Sequence, residues 1–577
     1  MWCVVSGCLL ACTDCLWCGL QVIVGGGPAG LAAAIRLKQL EEEKGNEISV
    51  VVLEKGPELG AHILSGNVFE PKAFKELFGE DWEENYPDAP LETKAADDHF
   101  LFMTGPDSSI SIPSFLLPPS LHNHGNYVIS LSQLVRWMGE QAEALGVDIY
   151  PDFPASEVLY NEDGSVRGVA TADKGIDKEG VPKEDVFMRG YEMIGRQVLF
   201  AEGARGSCSE DIIDNFDLRK DCDPQSYGLG IKEVWEIPEE NLKPGLIQHT
   251  FGWPLESDTY GGSFLYHMAP NKILVGFVVG LDYKNRYLSP YEEFQRFKHN
   301  PAISKHLEGG ECIAYGARVI NEGGLQSVPK LTFPGGMLLG CSAGFLNVPK
   351  VKGSHTAMKS GMVAAESVYD GLFPATGEAE EDPYYNSGAE LSGYQGAMES
   401  SWVFQELKTF RNYAPAFKWG LYAGVLYSGI SGFILRGMEP WTFSKNDGKH
   451  DSEKTLPADQ CKPIEYPKPD GVLSFDILTN LARSGTNHEG DQPAHLRIKE
   501  DLAHVPNEIS IKQFAGPEQR FCPARVYEYH ENEESGDKEL VINAQNCVHC
   551  KCCSIKMPQE YIKWTVPEGG GPAYQVM

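Results

Sequence analysis

The stretch Gln21 to Leu40, QVIVGGGPAGLAAAIRLKQL, limits the fold of this chain more than any other. VIV reads as a short buried strand and Gly25-x-Gly27-x-x-Gly30 as a tight turn. Leu31, Ile35 and Leu37 form the apolar face of a helix. Gly45-Asn46 then turns the chain into ISVVVLEK, a second buried strand ending at Glu54, so the segment is a βαβ unit. In such a unit the first glycine permits the turn, the second lets a diphosphate approach the backbone, and the third lets helix and strand pack closely. The unpaired amides and dipole of the helix N-terminus favour the anion. Glu54, 24 residues past Gly30, is placed to bind a ribose hydroxyl. The segment therefore predicts a bound dinucleotide in contact with Gly25, Gly27, Gly30 and Glu54, rather than a glycine-rich turn without a ligand.

A second constraint lies at the other end. Cys547-x2-Cys550-x2-Cys553 puts three thiolates on one tight loop, and Cys522-Pro523, 25 residues before Cys547, supplies a fourth. Zinc also takes four thiolates, but zinc sites favour paired CxxC, whereas a triple plus Cys-Pro is how ferredoxin-type sites hold [4Fe–4S] cubanes. Cys522, Cys547, Cys550 and Cys553 are thus the expected ligands. Cys552 interrupts the spacing and is read as a bystander, and His549 as solvent-facing or hydrogen-bonded. The 15 cysteines gather at 3–18 and 522–553 with a few singles between, and in 577 residues they do not make a small disulfide scaffold.

Length predicts roughly two to four domains. The net charge of −32 argues against nucleic acid and against electrostatic attraction to anionic lipid, so any membrane contact must be hydrophobic. No apolar run reaches the length of a spanning helix. The best candidate, Phe417 to Leu435, is rich in Gly and Ser and broken by Lys418, and is read as a buried or monotopic helix. Residues 1–20 hold five cysteines and no Lys or Arg, unlike a secretory signal or transit peptide; an atypical start is expected there rather than a second cluster.

Between the ends, 80–125 is Pro-rich with an apolar stretch, Ile110 to Leu121. Ser130 to Leu145 reads as a helix with a Gly cap, followed by the strands VDIYP, SEVLYN, VRGVATA and RQVLFAEGARG. From about 230 to 310 the βα rhythm lapses, which predicts an inserted domain. The α/β pattern returns at Gly335, with a helix from Ser354 to Asp370 and then an acidic linker at 377–383. Leu199 to Gly206 and Leu338 to Gly344, containing Gly203 and Gly340, each put a short strand before small residues. Both resemble the later dinucleotide-site segments of two-dinucleotide-binding flavoproteins, so FAD is expected rather than NAD. Those proteins usually read Gly-Asp where this chain has Gly340-Cys341; Cys341 is read as a small buried residue. A flavin takes one or two electrons and a cubane one, so the pair links one-electron to two-electron partners. No nucleophile elbow or paired catalytic acids appear, and His249, His267 and His355 are expected to be structural.

The chain resembles the electron transfer flavoprotein–ubiquinone oxidoreductase family over about 21–577. The resemblance rests on GAHILSGNVFEPKAFKELF, NHGNYVISLSQLVRWMGEQAEALGV, TYGGSFLYH, GARVINEGGLQSVPKLTFPGG, NVPKVKGSHTAMKSG, SGTNHEGDQPAHL, GPEQRFCPARVYE and NAQNCVHCKCC. It implies an α/β FAD-binding domain of the two-dinucleotide-binding type, an inserted α+β ubiquinone domain and a C-terminal ferredoxin-like [4Fe–4S] domain. It also implies single electrons arriving from reduced electron transfer flavoprotein, quinone leaving as quinol, and monotopic attachment to the matrix face of the mitochondrial inner membrane. The quinone contact of the family maps onto Gly261-Gly262, whose alternative reading is a plain turn.

The expected division is an atypical segment at 1–20, flavin-domain segments at 21–105, 129–230 and 311–375, and a membrane-contact loop at 106–128. The ubiquinone domain is expected at 231–310, a helical region with a membrane-contact helix at 376–440, and the [4Fe–4S] domain at 441–577. Phe115, Leu116 and Leu117 are the expected tip of the loop, with Trp419, Tyr422 and Tyr427 on the helix. Cys552 and a C-terminal PEGGGPAY one glycine short depart from the family pattern. The alternative within the superfamily is a prenyl-chain reductase or other flavin dehydrogenase, which does not require the cysteine-bearing tail.

Overall fold

The structure, a computed structural model, describes residues 20–374, 387–533 and 536–574. The expected N-terminal segment (all but Leu20) and the acidic linker lie outside the described residues.

β1 (Gln21–Val24), α1 (Pro28–Lys44) and β2 (Val50–Leu53) form as the glycine fingerprint dictates. Both strands are wholly buried, as a parallel strand covered on two faces must be. β1 sits between β2 and strand Gln197–Phe200, parallel to both, in a six-stranded sheet completed by Asp148–Tyr150, Gly336–Leu338 and Thr332–Phe333. The chain leaves β1 towards one side and later returns on the other, so a crevice opens at its carboxyl end, where α/β sheets bind ligands. The helix Ser354–Leu372 crosses α1 closely, because a Cβ at Gly361 would strike the Ala29 carbonyl oxygen. The expected helix after Ser130 runs Leu131–Ala144, capped by the Ser130 hydroxyl, which accepts from the Gln133 amide at 3.3 Å.

A second, seven-stranded sheet carries the inserted domain. Its order is Glu311–Asn321, Tyr227–Glu236, Lys272–Gly280, Gly261–Met268, Leu246–Gly252, Asp97–Gly105 and Ser108–Ile112. Its span differs from the expected boundaries. Residues 97–112, read as flavin domain and loop, join this sheet instead: 97–103 pairs in parallel with 246–252, 108–112 pairs antiparallel with 97–105 as the outer edge, and 311–321 closes the inner edge. One face is packed by helices Pro290–Phe297 and Pro301–Leu307 through Phe277, Phe294, Phe297 and Ile303. The other faces the flavin domain across a cavity.

Phe417–Leu435 is not the single helix expected. Gly420, at φ 95°, breaks it into a 3-10 turn, Phe417–Trp419, and an α-helix, Leu421–Ile430, which ends in a π-turn, Ser431–Leu435. Its end lies against the Pro-rich loop: a Cβ at Gly432 would come within 2.5 Å of Pro118. Leu117 is buried at 8% exposure and so is not part of the tip, while Phe115 and Leu116 are exposed. Among the described residues no helix is long and apolar enough to cross a membrane.

Candidate functional site

A cavity of about 1310 Å³ runs along the inner face of the seven-stranded sheet. It exceeds the roughly 300–1,000 Å³ usual for one small ligand. The glycine turn forms its inner end. Gly25 has φ 109°, and a Cβ there would lie 2.5 Å from the Ala201 carbonyl oxygen; a Cβ at Gly30 would collide with the Gly25 carbonyl. A Cβ at Gly27 meets no atom within 4 Å, so the position points into open cavity above the N-terminus of α1. No side chain caps that end, and no acid lies in its first turn. Glu54 braces the turn, accepting the Gly26 amide at 3.0 Å and the Gly56 amide at 2.8 Å. Gly203, at φ 78°, also lines the cavity, and Gly340, at φ 57°, sits behind it with its amide on the Ser360 hydroxyl at 2.9 Å. Cys341 lines the cavity and is half-buried, more open than the small buried residue expected.

Three cations converge on this end. Lys55 is pushed down to about 8 by burial and by the Arg318 charge. Lys551 is held well below the usual lysine range by burial, then by Lys55 and Arg318. All three line the cavity, together with His62, whose ring nitrogens have no protein partner. Mutually repelling cations around a bare helix N-terminus fit an anionic diphosphate, and the sequence reading had not found them. Lys551 alone carried a signal, lying between two ligand cysteines.

The cysteine loop abuts the same wall. Cys522, Cys547, Cys550, Cys552 and Cys553 are all buried and free. Strand Glu311–Asn321 is tied to the loop by the Val319 amide donating to the Cys550 carbonyl at 3.0 Å and by Arg318 Nη1 to the His549 carbonyl at 3.2 Å. Backbone amides of Val526 and His549 donate to the sulfurs of Cys522 and Cys547, each at 3.4 Å. Burial pushes the Cys522 and Cys547 thiols up to about 12, so thiolates there need a positive centre, as iron supplies. Among the described residues, the sets of three or more potential ligand atoms within 4.8 Å are His488, His495, His549 and Glu70, His355, Glu406, with no cysteine in either. Sulfurs around one tetrahedral zinc, each about 2.3 Å from it, would crowd closer than that.

His549 is buried rather than solvent-facing, in an aromatic group with His62 at 5.3 Å, His488 at 5.0 Å and Trp564 at 5.2 Å. His488 has a carbonyl at each nitrogen, Gly569 at 2.9 Å and Cys547 at 3.0 Å, which leaves neither free for a metal. The Glu70 group already encloses a cation, Lys350, at 2.9 Å from Glu70 and 3.1 Å from Glu406.

Across the sheet the pairing sets Lys232, Gly276, Phe264, His249, Phe100 and Ile112 side by side on six neighbouring strands. At about 4.8 Å per strand, this row leads from the flavin domain to the outer edge. Gly261 and Gly262 line the cavity at the start of the central strand of the sheet, opening that strand rather than forming the alternative turn. A Cβ at Gly262 would sit 2.8 Å from the Thr250 carbonyl oxygen. Lys232, pushed down to about 8 by burial, reaches the Gly66 carbonyl at 3.1 Å. The outer end of the cavity is rimmed by Leu116, Leu121, Leu426 and Ile434, of which Leu116, Leu426 and Ile434 are exposed.

Family models match three stretches: "NAD(P)-binding Rossmann-like domain" at 23–78, "ETF-QO, ubiquinone-binding" at 227–320, and "Electron transfer flavoprotein-ubiquinone oxidoreductase, 4Fe-4S" at 471–575. The chain is 55% identical over 562 residues to the mouse mitochondrial electron transfer flavoprotein-ubiquinone oxidoreductase, covering 96% of this chain and 89% of that one. To the Arabidopsis thaliana protein of the same name it is 53% identical, covering 96% and 84%. A geranylgeranyl bacteriochlorophyll reductase-like structure from Thermoplasma acidophilum shares the fold, with TM-score 0.50, 15% identity and coverage of 73% of this chain and 90% of that chain. Identity at this level over nearly the whole length, with the ubiquinone and 4Fe-4S models in register with the sheet and the cysteine loop, makes the chain a member of the electron transfer flavoprotein-ubiquinone oxidoreductase family.

Proposed function

We propose that this chain takes electrons from reduced electron transfer flavoprotein, passes them through FAD and a [4Fe–4S] cluster, and reduces ubiquinone held at a membrane surface. The observation that carries the reading is the single cavity. It begins at the glycine turn, is touched by Lys551 between two cluster cysteines, and ends among exposed apolar side chains.

Gly25, Gly27 and Gly30 would seat the diphosphate of FAD on α1, with Lys55, Arg318 and Lys551 offsetting its charge. Glu54 would take a ribose hydroxyl, and Gly203 and Gly340 keep the remaining wall clear of side chains. Cys522, Cys547, Cys550 and Cys553 would hold the cluster. When bound, FAD exchanges electrons singly or in pairs and the cluster singly, which matches a one-electron donor to a two-electron acceptor. Gly261 and Gly262 would offer backbone to a quinone carbonyl, and the apolar rim excludes water and admits a lipid-soluble tail. The same rim would rest in one leaflet, and the mitochondrial naming of the relatives supports the matrix face of the inner membrane as its place.

The test is an absorption spectrum of the purified protein followed by quinone reduction with reduced electron transfer flavoprotein. Flavin peaks over a broad cluster absorbance, and turnover that needs both donor and quinone, are expected. Turnover with a nicotinamide donor alone would overturn the reading.

A further inference from the structure

Reducing a quinone to a quinol consumes two protons as well as two electrons, and the quinone site lies behind an apolar rim. Electrons have an evident route from the inner end of the cavity; protons need one of their own. The cavity wall carries several groups that can move protons, Glu256, Asp258, Tyr260 and Glu322 among them, and His249 stands on the strand beside the quinone glycines.

His249 lies on strand Leu246–Gly252, next to strand Gly261–Met268, where it pairs with Phe264. Side chains alternate along a strand, so His249, Phe264, Tyr266 and Gly262 share the cavity face, and all four line the cavity. Gly262 is the diagonal neighbour of His249, roughly 7–8 Å away by sheet geometry. The ring is buried, with Nε2 hydrogen-bonded to the Tyr266 hydroxyl at 2.9 Å. That leaves Nδ1 for a ligand. Burial, and then the charge of Lys352, pushes the ring down to about 3, so it is neutral at physiological pH and carries one proton on one nitrogen.

We propose that His249, backed by Tyr266, relays a proton to the quinone oxygen held near Gly261 and Gly262; this rests on the quinone site proposed above. The tautomer required has the proton on Nδ1 and accepts from Tyr266 at Nε2. As the quinone takes its two electrons from the reduced cofactors, the Nδ1–H bond breaks and a quinol O–H bond forms. Nε2 takes the hydroxyl proton of Tyr266 in the same movement, so the ring never becomes a cation or an anion. Water then protonates Nδ1 while Nε2 returns its proton to the tyrosine oxygen, which restores the starting tautomer and the hydroxyl. The second quinol proton also comes from water, at the other oxygen.

The groups facing this pair are consistent with refilling. Lys352 acts on His249, and Asp98 on Tyr266, through their charges. Lys352 Nζ donates to Asn123 Oδ1 at 2.7 Å, and the Asn123 side chain donates to Asp98 at 3.0 Å. Asp98 is half-buried, so the carboxylate whose charge acts on Tyr266 lies on the solvent side of this group, and Lys352 is pushed down to about 8 by burial.

The test compares His249→Gln, Tyr266→Phe and Gly262→Val in the holoenzyme, each first checked for flavin absorbance and cluster EPR. His249→Gln keeps a hydrogen-bonding side chain but cannot pass a proton through a ring. The expected result is kcat for quinone reduction lowered about 10²-fold with little change in KM. Bleaching of the flavin by reduced electron transfer flavoprotein should proceed at the wild-type rate. In D2O the quinone step should slow in the wild type, and imidazole should partly restore a His249→Ala variant. Tyr266→Phe, which keeps the ring packing, should show a smaller loss in the same step. If Gly262→Val raises the quinone KM while His249→Gln and Tyr266→Phe keep the wild-type kcat and solvent isotope effect, the relay is overturned. If Gly262→Val leaves KM unchanged, the quinone site itself is misplaced.

Discussion

A side chain added at Gly27 would point into the cavity, whereas one at Gly30 would strike the Gly25 carbonyl oxygen. The two glycines are therefore separable by experiment. Gly27→Val is expected to fold and to lack FAD, giving a normal far-UV circular dichroism spectrum without flavin absorbance. Gly30→Val is expected to lower the yield of folded protein as well, because helix and turn can no longer meet. Full flavin occupancy in Gly27→Val would remove this turn from the diphosphate site. The five buried cysteines make a second residue-scale test. Alanine at Cys522, Cys547, Cys550 or Cys553 should abolish the low-temperature EPR signal of the reduced cluster. Cys552→Ala should keep it, with a stability loss on the order of 1 kcal/mol from the emptied volume. Loss of the signal in Cys552→Ala with retention in Cys550→Ala would reverse the ligand assignment. Both expected sites were legible in the sequence because their spacing is local, set by the fingerprint glycines 25, 27 and 30 and by the evenly spaced cysteines 547, 550 and 553. His249 was read there as structural. Its place on the cavity wall depends on strand register, which no neighbouring residue reveals. His267 is hydrogen-bonded to His306 at 3.1 Å and His355 to Glu406 at 3.1 Å.

Helix Trp402–Phe410 is fastened to helix Ser354–Leu372 and to the loop before it through one carboxylate. Glu406 accepts from His355 Nε2 at 3.1 Å, Lys350 Nζ at 3.1 Å and Asn347 Nδ2 at 2.7 Å. Burial alone would raise its pKa, but the hydrogen bond and charge of His355, with Lys350 and Asn347, outweigh that and hold it at about 2. The folded value lies below the unfolded one of about 4.5, so the contribution is complete above that pH and is lost as pH falls towards about 2. At about 1.4 kcal/mol per unit it is at most about 3.5 kcal/mol. The melting temperature of the wild type should fall across that window more steeply than that of Glu406→Gln; equal slopes would mean that the carboxylate is not the link. This contact joins residues about 50 apart, and sequence spacing does not announce it. The same limit explains the missed edge of the seven-stranded sheet. Residues 97–105 pair in parallel with 246–252, and a Pro-rich neighbourhood hid the strand. The flavin-domain strands at 21–24, 50–53 and 197–200 were legible because each is a short, wholly buried run.

Taken whole, the molecule is strongly acidic yet carries a compact apolar apron at one end of its cavity. Phe115 is 76% exposed, Tyr422 73% and Ile434 68%, with Leu116, Leu426 and Trp419 among them. With a net charge of −32, the membrane attachment proposed above would have to come from apolar burial, which contributes roughly 1.5–3 kcal/mol for each large side chain fully transferred. Changing Phe115, Leu116, Leu426 and Ile434 together to Ser should leave FAD and cluster bound and release the protein from neutral liposomes in a flotation assay. The wild type should stay bound in high salt. The variant should also reduce long-tailed quinone more slowly than a short-chain analogue. Loss of flavin in the variant would mean that these side chains are core. The two apolar segments meet where Gly432 lies against Pro118, and that junction decides more than adhesion. A single greasy segment is a pivot about which a protein can swivel, whereas two segments locked together make a footing with a fixed up and down. On the membrane footing proposed above, the quinone would diffuse to its doorway within a plane, while a soluble donor would approach from the side that faces water.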